Sequence, residues 1–379
     1  MLKSVVAFLI SLLFTLILPL GGNAQNHHQE EIKGVWLTNI DSEVLFSARH
    51  TTETINTLTD FGFNRLYPTV WNGGYTLYPS QVLQKVTGIN IDPEERLTNR
   101  DVLEEIVQQA KGKEIKVIPW FEFGFMAPSE SILSTKYPHW LTNRLDGDKI
   151  WLEGGVIPRT WLNPLHPEVQ EFITDLVLEI VTNHDVDGIQ FDDHFGYPSD
   201  FGYDPYTVSL YRQEHNGMLP PPNHLNKEWG RWRADKITAF FASLQQKVKN
   251  VNPNLIISVS PNPQEFSLEQ YLLDWAKWDQ LNLIDELIVQ LYRDNMIAFQ
   301  REMAQPDLQK AKNHIPTAIG ILSGLKGRPM PLDMIKQQVE GAVKNGYSGV
   351  AFFFYESLWN FGPESIPERQ EYFSSIFRH

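Results

Sequence analysis

There is no cysteine in this sequence. That excludes a disulfide, a thiolate metal site, a cysteine nucleophile and a lipid attached through cysteine. Basic residues are also in short supply: 32 Lys and Arg stand against 46 Asp and Glu, a formal charge of −14. A polyanion needs a basic footprint, so nucleic acid is excluded as a partner and anionic lipid surfaces are disfavoured. No apolar run is long enough to span a bilayer, which takes ~20 residues. The longest, Val5 to Leu18, follows Lys3 and precedes the small residues Gly22-Asn23-Ala24. That order reads as a signal peptide over 1–24, cleaved before Gln25, with an uncleaved anchor as the alternative. An exported protein, periplasmic or secreted, is expected. Also missing are G-x-S-x-G, a Walker loop and H-E-x-x-H, so the serine-hydrolase, P-loop and zincin routes have no support.

What is present is a core and a rhythm. With 42% hydrophobic and 21% charged residues, the 379-residue chain can bury a large interior. Strand patterns over 34–41, 64–71, 116–123, 188–195, 255–260, 287–293, 317–321 and 349–355 alternate with helical ones over 51–61, 101–113, 231–250, 271–278, 296–312, 331–345 and 369–377. A further helix starts at Pro167, with Glu168 in its first turn and Val169, Phe172, Ile173, Leu176 and Val177 in register. Eight strands alternating with helices predict a (β/α)8 barrel of the TIM type. The competing open sheet would carry a Gly-rich turn after strand one, and Thr38-Asn39-Ile40-Asp41 is not one. One catalytic domain over 30–379 is expected. Two long irregular stretches, 124–166 and 196–230, follow strands three and four and so belong on the catalytic face. They carry Trp140, Trp151, Trp161, Tyr197, Phe201, Tyr203, Tyr206 and Trp229. Such rings suit sugar faces, or else form a small core for the loops themselves.

The densest chemistry is Gly188-Ile-Gln-Phe-Asp192-Asp193-His194-Phe195. Alternation puts Gln190, Asp192 and His194 on one face and Asp193 on the other, with Ile189 and Phe191. Paired carboxylates resist joint ionisation, which is costly to maintain for structure alone. The other strand ends supply Asn39, Trp71 and Asn72, Trp120 and Glu122, Asn262, Gln290 with Tyr292, and Glu356. Glycosidic cleavage needs this set: one carboxylic acid for the leaving oxygen and one carboxylate to attack or to activate water. Asp192 is assigned as nucleophile or base. Asp193 is its electrostatic partner, or the catalytic group if the strand bulges. Glu122 is preferred to Glu356 as the acid. Trp36, Asn39, Trp71, Asn72, Trp120, Trp161, Asn163, His194, Tyr197, Asn262, Gln290 and Tyr292 are expected to bind substrate. No cofactor is expected. No metal is either, because His166, His215 and His224 lack ligand spacing. The rival readings are a metal-dependent polysaccharide deacetylase using Asp192, Asp193 and His194, and a carbohydrate-binding barrel without turnover.

Several stretches together resemble the glycosyl hydrolase-like 10 (glycoside hydrolase family 10-like) bacterial barrels. They are Gly34-Val-Trp-Leu-Thr-Asn39, Trp161-Leu-Asn163-Pro164, Asp187 to Phe195, Trp232-Arg233, Ile257-Ser-Val-Ser-Pro261 and Gln290-Leu-Tyr292. The family includes divisome-associated hydrolases of peptidoglycan glycan strands. The resemblance covers nearly all of 30–379. It implies a TIM-like barrel, an exported location and cleavage of glycosidic bonds in cell-wall glycan, with a polysaccharide or peptidoglycan strand as partner. The lack of a cysteine departs from lipid-tethered forms. The catalytic assignments come from strand position, not from the resemblance.

Overall fold

The structure, a computed structural model, describes residues 30–377; the signal segment read at 1–24 lies outside them. Eight parallel staves form the barrel: β1 (Ile32–Leu37), β2 (Arg65–Pro68), β3 (Lys116–Val117 and Trp120–Phe121), β4 (Gly188–Phe191), β5 (Ile256–Val259), β6 (Glu286–Gln290), β7 (Thr317–Leu322) and β8 (Gly349–Phe353). Hydrogen bonding orders them as a nine-stranded sheet whose first and last members are the two halves of β3. Lys116–Val117 pairs with β2, whereas Trp120–Phe121 pairs with β4. One segment therefore closes the cylinder. Its break falls at Pro119, which has no N–H to donate but whose carbonyl still accepts from Gln190 N at 2.7 Å.

Two apolar layers sit on either side of this wall. Outside it, β-strand residues such as Val35, Leu66, Ile189 and Ile257 pack under the helices. Inside it, Ile32, Trp36, Tyr67, Ile118, Trp120, Ile288, Ala318 and Ala351 fill the bore. The bore also holds a polar string. Trp36 Nε1 donates to Gln190 Oε1 (2.7 Å), Gln190 Nε2 to Ser258 Oγ (3.0 Å), and Ser258 Oγ to Glu286 Oε1 (2.8 Å). Tyr67 and Arg65 complete the partners of Glu286. A buried carboxylate is tolerated only when paired and bonded in this way.

The helices begin where the chain offers caps. Ser47, Asp101 and Asn226 each accept a first-turn N–H, opening Ala48–Asp60, Val102–Ala110 and Lys227–Val251, while Pro167 opens Pro167–Asn183. Two expected helices are each split. The one at 271–278 becomes Gln264–Tyr271 and Trp275–Gln280, because Leu272 turns left-handed (φ 58°) and Asp274 caps anew. The one at 296–312 becomes Met296–Met303 and Pro306–Ala311, since Pro306 cannot continue a ladder from the preceding turn.

The stretches expected to be irregular contain structure. Met126–Pro128, Ile157–Trp161 and Trp151–Glu153 form a small antiparallel sheet, and Pro205–Glu214 is a helix. A third excursion, after β2, carries a hairpin at Trp71–Asn72 and Tyr75–Thr76 and a helix at Gln81–Thr87. Of the loop aromatics, Tyr203 and Trp229 form a satellite core with Tyr211, and Trp140, Trp161, Tyr197 and Phe201 are also buried.

Candidate active site

The site is the next inward layer above the filled bore. Trp36, Tyr67, Trp120 and Gln190 face inward within the strands. Two residues further on, at the carboxyl ends, the same register delivers Thr38, Thr69, Glu122 and Asp192. These are the chemical groups of the site.

Glu122 is buried, and its Oε2 collects the donors: Asn72 Nδ2 at 2.8 Å, Thr69 Oγ1 at 2.9 Å and Thr38 Oγ1 at 3.2 Å. Oε1 has only the distant Thr38 hydroxyl, 3.5 Å away. Burial pushes the carboxyl up to about 7, helped by the charge of Asp192 and opposed by Thr69, Asn72 and His194. Below that pH the group is a neutral acid with Oε1 available to carry the proton.

Asp192 ends β4 and caps the short turn Asp193–Phe195. Its Oδ1 accepts from His194 N (2.9 Å) and His194 Nδ1 (3.0 Å). The His194 ring lies stacked on Phe123 and on Trp161, with centroids 6.0 and 5.8 Å away. Burial works against its charge, but the adjoining Asp192, then Asp193 and Glu153, raise it to about 9. Two glycines permit this crowding. A Cβ on Gly124 (φ 47°) would lie 2.2 Å from His194 O, and one on Gly196 would lie 2.0 Å from Tyr271 O. Through these close approaches the exits of β3, β4 and β5 lock together.

Asp193 faces the other way. Its oxygens accept from Asn262 N (2.8 Å), Asn262 Nδ2 (2.6 Å) and Ser267 Oγ (2.5 Å), all on the segment after β5. Burial outweighs these donors and raises its carboxyl. Asp192, Asp193 and His194 therefore do not converge as a ligand set, and among the described residues no cluster of three or more His, Asp or Glu forms a metal-binding geometry.

Glu356 lies in the first turn of Tyr355–Trp359, past the end of β8. Its Oε1 accepts from Ser42 Oγ (2.6 Å), Glu43 N (2.9 Å) and Val44 N (3.1 Å), so it clasps the chain leaving β1. Glu122 feels the charge of Asp192, whereas Glu356, the less favoured acid, is bonded to residues 42–44.

The residues expected to hold substrate divide in the same way. Trp120, Trp161 and Tyr292 each bury a donor, Nε1, Nε1 and the hydroxyl, with no partner among the described residues. Burial and then the fields of Asp192 and Glu122 hold the Tyr292 hydroxyl far up, which sets it beside both carboxylates. Its ring stacks on Phe353 at 5.5 Å. Asn72 also donates to Asn39 Oδ1 at 3.0 Å, and Gln290 Nε2 donates to Ser260 O at 2.7 Å.

The others have structural positions. Trp36 is in the bore, fully buried, beneath the site. Trp71 packs outward on Phe172 with its N–H on Gly124 O. Asn163 braces Asp204 and Thr207, Asn262 positions Asp193, and Tyr197 is wholly buried. Thr38, Thr69 and Tyr271 were not singled out from the sequence. The first two were findable by counting two residues on from Trp36 and Tyr67. Tyr271 comes from a loop helix, and no periodicity points to it.

Comparison with known proteins agrees with the barrel fold. The sequence profile of the family described as glycosyl hydrolase-like 10 matches residues 31–340. The glycosyl hydrolase DigH of Escherichia coli K12 is 24% identical in an alignment of length 296, gaps included, that covers 69% of this chain and 62% of that protein. The chain thus spans less than two thirds of that relative's length. Among solved structures, the PgaB (BpsB) glycoside hydrolase domain of Bordetella bronchiseptica superposes with a TM-score of 0.66 at 14% identity, covering 89% of this chain and all of the other. Alpha-L-fucosidase isoenzyme 2 of Paenibacillus thiaminolyticus gives 0.62 at 15% identity, covering 92% of this chain and 49% of that one. At these identities the likeness speaks for the barrel fold alone. The profile match spans most of the chain, and with it this protein belongs to the glycosyl hydrolase-like 10 family.

Proposed function

We propose that this protein is an exported glycoside hydrolase that cuts glycosidic bonds within bacterial cell-wall glycan. Glu122 Oε1 protonates the leaving oxygen as the C–O bond breaks. Asp192, through Oδ2, attacks the anomeric carbon or takes a proton from the attacking water. The observation that carries the reading is the contrast between two neighbouring carboxyls. One is pushed up to about 7 with a bare oxygen, and the other is tied to an imidazolium through a single oxygen. The contrast supports Glu122 as the acid and Asp192 as the nucleophile or base. Tyr292 and Trp120 supply unpartnered donors for ring hydroxyls. Family membership supports glycan as the substrate class, and the signal-like 1–24 segment supports export to where wall glycan is found.

The test is incubation of the purified protein with whole and amidase-stripped peptidoglycan, followed by mass analysis of the products. Release of glycan fragments by the wild type, and none by Asp192→Asn or Glu122→Gln, is expected. Acetate release that is lost in EDTA and restored by zinc would replace this reading with a deacetylase. Glycan binding without any product would replace it with a non-catalytic barrel.

A further inference from the structure

A cleft of about 320 Å³ opens near the candidate active site, at the meeting of three loop excursions. Trp151 comes from the hairpin after β3, Ser199 and Asp200 from the loop after β4, and Phe266, Gln270 and Tyr271 from the helix after β5. Its size is at the small end for ligand sites, enough for one or two sugar rings. Its walls are rings with accessible faces: Phe266 is 47% exposed, and Trp151 and Tyr271 are half-buried. Its rim is polar, with the exposed amide of Gln270, the Ser199 hydroxyl, and the Asp200 carboxylate held by Arg144.

Packed rings link the wall of the cleft to the catalytic layer, through the buried Trp161. Trp161 meets His194 at 5.8 Å, Tyr271 at 5.9 Å and Trp151 at 5.8 Å, and Tyr271 meets Phe266 at 6.0 Å. His194 in turn is bonded to Asp192. A path of aromatic edges and faces thus runs outward from the bond-cutting carboxylate. Apolar faces bounded by amide, hydroxyl and carboxylate groups match a pyranose, which has C–H faces and a hydroxyl rim.

We infer that the Trp151–Phe266–Tyr271 cleft is a distal sugar subsite that grips a glycan chain beyond the point of cleavage, making this an endo-acting enzyme for extended glycans. The inference rests on the proposed glycan-cleaving function, but its readout is binding and does not need turnover.

The experiment titrates the Asp192→Asn protein with chitooligosaccharides of increasing length, from disaccharide to hexasaccharide, following calorimetry and tryptophan fluorescence. Affinity is expected to rise with length. Phe266→Ala and Trp151→Ala in that background should weaken binding of the longest oligomers by at least about fivefold, the usual scale for truncating an aromatic anchor, and leave the disaccharide unaffected. Phe266 is exposed, so its variant keeps the fold even if Trp151→Ala, which packs on Trp161, does not. Phe266→Ala binding every length like its parent would overturn the inference, and so would an affinity independent of length. Length-dependent binding lost in Phe266→Ala, in a protein whose wild type cuts no glycan, would sink the proposed hydrolysis while the subsite stands.

Discussion

His194 holds Asp192 twice at one oxygen: its backbone N–H and its Nδ1 both donate to Oδ1, at 2.9 and 3.0 Å. The pairing occupies Oδ1 and leaves Oδ2 as the oxygen for the proposed chemistry. Nδ1 faces an acceptor, so it keeps its proton in both the charged and the neutral ring.

Asp192→Asn should therefore abolish turnover while folding and glycan binding persist. The amide keeps the shape but can neither attack an anomeric carbon nor take a proton, so the loss appears in kcat and not in KM. Product release and a binding isotherm on the same glycan check this. Near-normal turnover in this variant would remove Asp192 from the chemistry.

Asp193→Asn should act mainly on stability. Asp193 accepts from three donors, and an amide would present N–H to at least one of them. A loss of about 1–3 kcal/mol is expected, the scale for leaving a buried polar group unsatisfied. Denaturant midpoints of the two asparagine variants, measured side by side, decide the matter.

Glu122 sets an alkaline limit on activity. As the acid it must be protonated, so kcat/KM should fall as pH rises through about 7. The same raised carboxyl costs stability. Folded protein binds a proton that the unfolded chain releases near 4.5, so stability should decline between about 4.5 and 7 and level off above. The decline is on the order of 3 kcal/mol. Glu122→Gln should flatten that part of the stability–pH curve, a result readable from melting curves without any substrate.

Thr69→Val tests the donor set. Thr69 lowers the Glu122 carboxyl by donating to Oε2 at 2.9 Å. Removing it should move the alkaline limb to higher pH, with kcat retained on the acidic side. A limb that stays in place would mean that another group titrates.

His194→Gln should move the same limb in the same direction, because the imidazolium is among the influences that lower Glu122. A further sign follows from His194 itself. Its folded value, near 9, exceeds the ordinary 6.5, so its stabilisation is complete below 6.5 and is lost as pH rises through about 9. The wild type should lose stability over that window and the glutamine variant should not.

The sequence by itself determined the barrel and its inward register. Period-two alternation through Ile189, Gln190 and Phe191 dictates which face Asp192 joins, and the same counting carries Trp120 to Glu122. These are local consequences of strand geometry, and a single chain displays them. Tertiary structure alone decided how the groups divide their work. Glu356 was the second choice for the acid at a strand end, and a turn of helix swings it onto residues 42–44. Trp36 and Trp71 looked like platform residues, but one fills the bore and the other faces the outer helices. The acidity of Glu122 depends on burial and on the Asp192 charge, and the unequal loading of its two oxygens depends on Thr38, Thr69 and Asn72 arriving from two other strand ends. Desolvation and long-range hydrogen bonds have no period along a chain, so only the folded barrel could assign them.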